Sequence, residues 1–390
     1  MGRPAARSAD AGAARHHFAV DVLRDAPGDP AAAVEALVEA VASRLGPPGA
    51  DALARVGLFL PAPIRFEDAE PIVARVLGEP CPPLELFVQP VVGGGAAALT
   101  WSVTGDGVRV ERAEPSAARV VAPEVELAVL GHAAGEPPAA TAGDFAAGLR
   151  RFDTRLQGLG LRFADAIKLW TVFPSTPELG TEQAFNEFNR GRVEVFDALD
   201  FHLSEGTGAP RYPASTGVGA LDATAPLSGV ALAGGARGVQ VENPAQVSAF
   251  RYPTERIDKP ALFSRAIAVD LGTHVMTYVA GTASTVGAKT AHVGDPAAQA
   301  EQTLNNIDTL ITAENLARSG TPVTEGGLAT LSHIVVYAAT DEAEAAAVEV
   351  CARMVPPEVP MLMVRSRLTR DELLFEADGV AFAPSAAPAD

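Results

Sequence analysis

Apolar residues recur at helical spacing in "PAAAVEALVEAVASRL" (30–45), where Val34, Leu37, Val38 and Val41 share one side, so the pattern predicts a helix. "HHFAVDVL" before it reads as a first strand, and "VGLFLP" and "LELFVQPVV" as two short ones. "LTWSVTGDGVRVERA" sets "GDG" between two alternating runs, the signature of a β-hairpin. "VELAVLGHAAG" adds a strand. "GEPPAATAG" (135–143) is the clearest break in composition, and "DFAAGLRRFDTRLQGLG" then opens on an Asp cap and predicts a helix.

The second half is more regular. "RFADAIKLWTVFP" (162–174) predicts a strand ended by Pro. "TEQAFNEFNRGRVEVFDAL" (181–199) predicts a helix with Thr181 as its cap and Phe185, Phe188, Val195 and Phe196 on its apolar side. "PASTGVGALDA" (213–223) reads as a Gly-rich loop, and "SRAIAVDLGTHVMTYVAGTAS" as a hairpin turning near Gly272. Asp295 caps the next helix and Pro296 takes its first position. "LSHIVVYAA", "EAEAAAVEVCARM", "MLMV" and "ELLFEADGVAF" follow as strand, helix, strand and strand. Strands packed on one side by helices, with hairpins among them, point to an α+β chain and not to a wholly parallel sheet. The first third has the same strand–helix character without a sequence period.

With 390 residues the chain exceeds one small core and suits two or three domains. A net charge of −18 argues against a nucleic-acid surface, since phosphate binding needs clustered cations. A local group of arginines can still hold a small anion, because screening confines the global field to about 8 Å. Cys81 and Cys351 fit no metal spacing and read as buried free thiols of a reducing compartment. No apolar run approaches the roughly 18 residues of a membrane span. "MGRPAARSADAGAARHH" lacks the apolar core of a signal peptide, so a cytoplasmic location is expected.

Candidate chemistry concentrates in the second half. "ENPAQVSAFRYP" (242–253) and "FSRA" (263–266) bring Glu242, Gln246, Arg251, Tyr252, Ser264 and Arg265 within short reach. Guanidiniums grip carboxylates bidentately and a phenol adds a neutral donor, although residue type alone equally suits surface cations. Arg190 and Arg192 flank Gly191, an interior helical glycine costing about 1 kcal/mol against Ala, which suggests a close approach. "TGVGALD" lacks the P-loop Lys and a dinucleotide fingerprint, so nucleotide binding is rejected. No HxxxH or carboxylate-rich pattern appears, so no metal is expected. In "GTASTVGAKT" (281–290) small residues let a ligand approach the backbone, and Thr282, Ser284 and Thr290 offer hydroxyls. The chain's lysines are Lys168, Lys259 and Lys289, and a buried Lys can move a proton where Arg cannot. Lys289 is either a solvated loop residue or part of a site.

Together "LWTVFP", "FNEFNRGRVEVF", "PASTGVGA", "VENPAQVSAFRYP", "FSRA", "GTASTVG", "HVGD", "QTLNNI" and "TRDELLFEADG" resemble the chorismatase family, two-part relatives of RidA-like proteins. The likeness runs from roughly 165 to 380. It implies an α+β fold of two RidA-like (chorismate-mutase-like) mixed-sheet domains with helices on one face. The expected division is a flexible tail 1–15, an N-terminal domain 16–145, a C-terminal domain 146–384 carrying the site, and a tail 385–390.

The resemblance further implies cleavage of the enolpyruvyl ether of chorismate, a small dicarboxylate, without cofactor or metal. Pyruvate would leave, with a hydroxybenzoate or a dihydroxycyclohexadiene carboxylate, in secondary metabolism. Substrate contacts are then expected from Arg192, Arg251, Tyr252, Arg265, Thr282, Ala283, Ser284 and Arg370. Where the family pattern reads "VGHES" with its Glu as acid, this chain has Ala288 and Lys289, and Phe250 stands at a common Tyr. Lys289, or a neighbour such as Glu376, is expected to donate the proton. The alternatives are a repurposed scaffold using Lys289 in another reaction, or a non-catalytic binder. RidA-like domains often trimerise, but fused units can satisfy that interface within one chain, so a monomer is expected.

Overall fold

In the computed structural model, which describes residues 5–114, 116–174, 180–204, 208–220, 226–253 and 258–386, one plan of strands and helices is laid down three times. The first unit comprises β1 (Ala5–Ala11), β2 (Ala14–Leu23), α1 (Pro30–Leu45), a short α2 (Pro47–Ala50), β3 (Leu53–Leu60), α3 (Phe66–Leu77), β4 (Leu84–Val88) and β5 (Ala96–Gly105). The second has β6 (Arg109–Glu114), β7 (Ala117–Val121), β8 (Glu126–Leu130), α4 (Ala142–Gly158), β9 (Ala166–Pro174), α5 (Thr181–Phe196), β10 (Ala214–Ala220) and β11 (Leu227–Ala233). The third begins with β12 (Gly238–Val241), β13 (Ala266–Asp270) and β14 (His274–Ala283), then a small ribbon, β15 (Thr285–Val286) and β16 (Lys289–Thr290). It continues through α6 (Pro296–Leu310), α7 (Ala313–Arg318), β17 (Leu331–Ala338), α8 (Asp341–Met354), β18 (Met361–Arg365) and β19 (Phe375–Pro384).

The sheets run β1-β2-β5-β3-β4, β6-β7-β8-β11-β9-β10 and β12-β13-β14-β19-β17-β18. In each, the last strand returns to lie between a hairpin and a parallel edge pair, β3/β4, β9/β10 or β17/β18. That parallel edge meets the following unit. His132 N donates to Leu84 O at 2.7 Å, Ala214 bridges Ser264, and Val364 bridges Val91. The three units thus close a ring, and each parallel edge meets the next unit.

Each sheet is buried on both faces. Outside, α1 and α3, α4 and α5, and α6 and α8 pack apolar sides onto their own sheets, as with Leu37, Phe152 and Leu304. Inside, Phe18 and Trp101, Ile167 and Trp170, and Tyr278 and Val380 bring all three sheets into one shared core. Strands such as β3, β9 and β17 are therefore buried along their whole length and read as apolar runs without alternation.

The α+β character and the helices on one face of each mixed sheet are as expected, and α1 and α6 start where their caps predict. Asp29 accepts from Ala32 N at 2.8 Å and Asp295 from Ala298 N at 3.0 Å. The division differs. Among the described residues there are three large sheets, and 135–143 is no boundary, because β8 on one side pairs with β11 beyond α4. The "GDG" is not a hairpin turn, since β5 belongs to the first sheet and β6 to the second. The expected tail 1–15 contains β1, paired along its length with β2, and at the other end Ser385 bridges Val323. The Gly-rich "loop" is strand β10 as far as Ala220, and residues 221–223 lie outside the described ones. Asp144 is the third residue of its capping box, with Thr141 as cap.

Candidate active site

The seam between the second and third units opens into a cavity. Unit two supplies the end of β9, β10 and the inner side of α5. Unit three supplies the end of β14, the start of β19 and the segment before it. Gly191 makes this possible: a Cβ there would stand 2.4 Å from Ala142 O of α4, so only glycine lets α5 seat this closely. The neighbouring Arg192 is thereby turned inward, 1% exposed. The close approach expected at Gly191 is made by a helix and not by a ligand.

Glu376 forms the acidic wall. It pairs with Ala283 of β14 and Tyr337 of β17 and is 5% exposed. Gly281 leaves room for it, since a Cβ there would lie 2.3 Å from Glu376 Oε1. Burial raises the Glu376 carboxyl to about 8, the Asp378 charge adds to the rise, and Arg370, Lys168 and Arg265 oppose it. The group is therefore mainly a neutral acid near pH 7.

Opposite stand the cations. Arg192 donates from Nη2 to Asn189 Oδ1, lies over the Phe188 ring at 4.9 Å, and leaves Nε without a partner. Burial pulls its guanidinium down to about 9, the cost of a cation enclosed without an acid beside it. Arg265 donates to the Tyr252 hydroxyl and, at 3.2 Å, to Val247 O, again with Nε unpartnered. Arg370 reaches Thr290 Oγ1 at 3.0 Å, with Glu372 at 4.0 Å. Phe173, Phe185, Phe188 and Phe263 supply an apolar face, while Ser215, Gly217 and Ala283 keep the opposite wall thin. Among the described residues, neither Arg192 nor Arg265 has an acidic side chain within ion-pair distance of its guanidinium.

Of the expected site residues, Glu376, Arg192, Tyr252, Arg265, Ala283 and Arg370 line this cavity together. Four do not. Lys289 is exposed on the β15–β16 ribbon, beside the turn at Gly287, and does not line the cavity. Arg251 is exposed, lies over the Phe250 ring at 5.7 Å and borders a separate surface groove. The Thr282 hydroxyl donates to Ala280 O at 2.9 Å and that of Ser284 to Ala291 O at 3.0 Å, so both are spent on the backbone. The phenyl wall and Thr369 were missed. Phe185 and Phe188 read from the sequence as the apolar side of a helix and Phe173 as part of a strand, and no pattern in the sequence separates a cavity-facing Phe from a core one.

No family model matches the chain. It is 34% identical over 212 residues to a chorismatase of Streptomyces rapamycinicus, covering 53% of this chain and 60% of that protein. It is 30% identical over 226 residues to a 3-hydroxybenzoate synthase of Streptomyces hygroscopicus, covering 56% of this chain and 64% of that one. A crystal structure of a chorismatase matches with a TM-score of 0.69 at 19% identity, covering 97% of this chain and 98% of the other. This chain is similar to chorismatases in sequence and in fold. The chorismatase fold extends over nearly its whole length, whereas the sequence matches span less than two thirds of the two curated relatives.

Proposed function

We propose that this chain cleaves the enolpyruvyl ether of chorismate, releasing pyruvate and a dihydroxycyclohexadiene carboxylate or a hydroxybenzoate, with Glu376 as the proton donor. One observation carries the reading: a buried carboxyl held protonated faces two buried guanidiniums that have no acidic partner among the described residues. Chorismate brings two carboxylates, one for each unsatisfied cation, and its ring suits the phenyl wall. Enclosed guanidiniums bind carboxylates strongly because the cation's desolvation is already built into the fold.

A proton from Glu376 to the terminal vinyl carbon converts the enol ether into an oxocarbenium ion. Water adding to the oxygen-bearing carbon of that ion gives a hemiketal, which collapses to pyruvate and the dihydroxycyclohexadiene carboxylate; loss of one water from that ring would give the hydroxybenzoate. The carboxylate left on Glu376 lies near Arg370 and Arg265, whose charges offset it until a proton returns. The names of the two curated relatives favour this reading over a non-catalytic binder. The exposed position of Lys289 weighs against a repurposed scaffold built around that amine.

We further infer a cytoplasmic, monomeric enzyme. Free, buried Cys81 and Cys351 suit a reducing compartment, and no described helix is long and apolar enough to cross a membrane. The ring of three units closes within one chain and leaves no parallel edge open. Incubation with chorismate tests the function. Stoichiometric pyruvate with a ring product is expected, and binding without pyruvate would overturn the proposal.

A further inference from the structure

Two carboxyl groups lie side by side on β19. Glu376 and Asp378 are two residues apart on an extended strand, so both point to the same face, about 7 Å apart along the chain. Both are buried, and two carboxylates so placed cannot both ionise without large cost. Their surroundings decide which one carries the charge. Asp378 Oδ2 accepts from Thr216 Oγ1 at 2.6 Å, Trp170 Nε1 at 2.8 Å and Lys168 Nζ at 3.1 Å, and Oδ1 lies 3.4 Å from the Tyr337 hydroxyl. Lys168, fully buried, also donates to Thr216 Oγ1 and to Val279 O, each at 2.7 Å, which fixes its ammonium beneath the cavity.

We propose that Asp378 is a positioning residue of the active site: held as a fixed anion by Lys168, Thr216 and Trp170, it keeps the neighbouring Glu376 in its protonated, donating form. Among the described residues Glu376 has no comparable cluster of donors, and it turns towards the cavity beside Gly281. Burial alone would raise Asp378, but Lys168 and the Thr216 hydrogen bond outweigh it and hold this carboxyl below its usual range. The other charged groups facing Glu376 are Arg370 from the segment before β19, Arg265 from the start of β13 and Lys168 from β9, all favouring its ionised form. Tyr337 on β17 is driven upward by burial and by both carboxylates, so it stays a neutral phenol. Among the charged neighbours, Asp378 is the one that keeps the proton on Glu376. Lys168 thus serves as the counter-ion of that anion and touches no substrate.

This inference rests on Glu376 being the proton donor of the proposed function, so its test includes a readout that needs no turnover. The Glu376 carboxyl is titrated by carbon-13 NMR in full-length protein labelled at glutamate, with the resonance assigned by its loss in Glu376→Gln. In Asp378→Asn the midpoint should fall by about one pH unit or more, since a unit corresponds to a tenfold change in protonated fraction. An unchanged or raised midpoint overturns the proposal, whatever the protein does with chorismate. With chorismate, Asp378→Asn should bring the alkaline fall of kcat to lower pH while keeping kcat near wild type at the acidic end. An equal loss at every pH would make Asp378 merely structural and also overturns it. Should Asp378→Asn not fold, Lys168→Met/Asp378→Asn removes cation and anion together, and the midpoint of Glu376 is again expected to fall. Absence of pyruvate release with a lowered midpoint would sink the proposed function and leave this inference standing.

Discussion

At the scale of single residues, Glu376 is a group whose surroundings favour its neutral form. Glu376→Gln should lower kcat by about 10²–10⁴-fold, the usual share of general acid catalysis, while leaving binding of a dicarboxylate analogue within a few-fold. Folding raises this carboxyl, so the folded chain keeps a proton that the unfolded chain releases. The stability linked to it is full below the ordinary carboxyl range and is lost as pH rises towards about 8. The urea midpoint of Glu376→Gln should therefore fall less than that of wild type between about pH 5 and pH 8. Lys289→Ala should leave turnover unchanged within about a factor of two, as an exposed side chain predicts. Scarcity of lysine drew the eye to Lys289, which is exposed. The buried lysine is Lys168, and its strand "LWTVFP" announces burial without announcing that an Asp two hundred residues away will meet it. Arg192, Arg265, Tyr252 and Arg370 were legible because matched segments carry them. Thr282 and Ser284 were not, because a hydroxyl's partner depends on the backbone path around it.

At the scale of elements, caps and helical spacing were readable and sheet membership was not. Asp29 and Asp295 start α1 and α6 through bonds that span three residues. The "GDG" stretch has the chemistry of a hairpin turn, yet its flanking strands find partners in different sheets, a choice made by distant residues. Strand β10 was read as a loop because of its glycines, which serve packing instead. A Cβ on Gly217 would stand 2.5 Å from the Phe173 ring, and one on Gly219 2.9 Å from Arg367 O. The same holds for the α4–α5 contact. Gly191→Ala should cost about 1–3 kcal/mol in urea unfolding, as overpacked cores do. Because α5 carries Arg192, the same variant should raise KM more than it lowers kcat. A stability loss with unchanged KM would separate that helix contact from the site.

At the scale of the whole molecule, three units share one plan without a sequence repeat, since each needs only apolar strands and an amphipathic helix pair at the right places. The sites at their seams are not equivalent. The seam of units two and three holds the cavity, whereas side chains such as Val20, Leu99, Tyr337 and Leu362 fill the space where unit three meets unit one. One closed ring per chain predicts a mass near the 40.2 kDa of a single chain by light scattering, and unfolding that does not depend on protein concentration. A trimeric mass would contradict it.

The central claim is that a proton passes from a buried acid to the vinyl carbon of chorismate. Turnover of chorismate in deuterium oxide, with the released pyruvate followed by mass spectrometry and NMR, tests this most directly. The account predicts pyruvate whose methyl group carries one solvent-derived deuterium, formed by wild type and lost with Glu376→Gln. Undiminished release by Glu376→Gln, or pyruvate formed without deuterium in its methyl group, would contradict it.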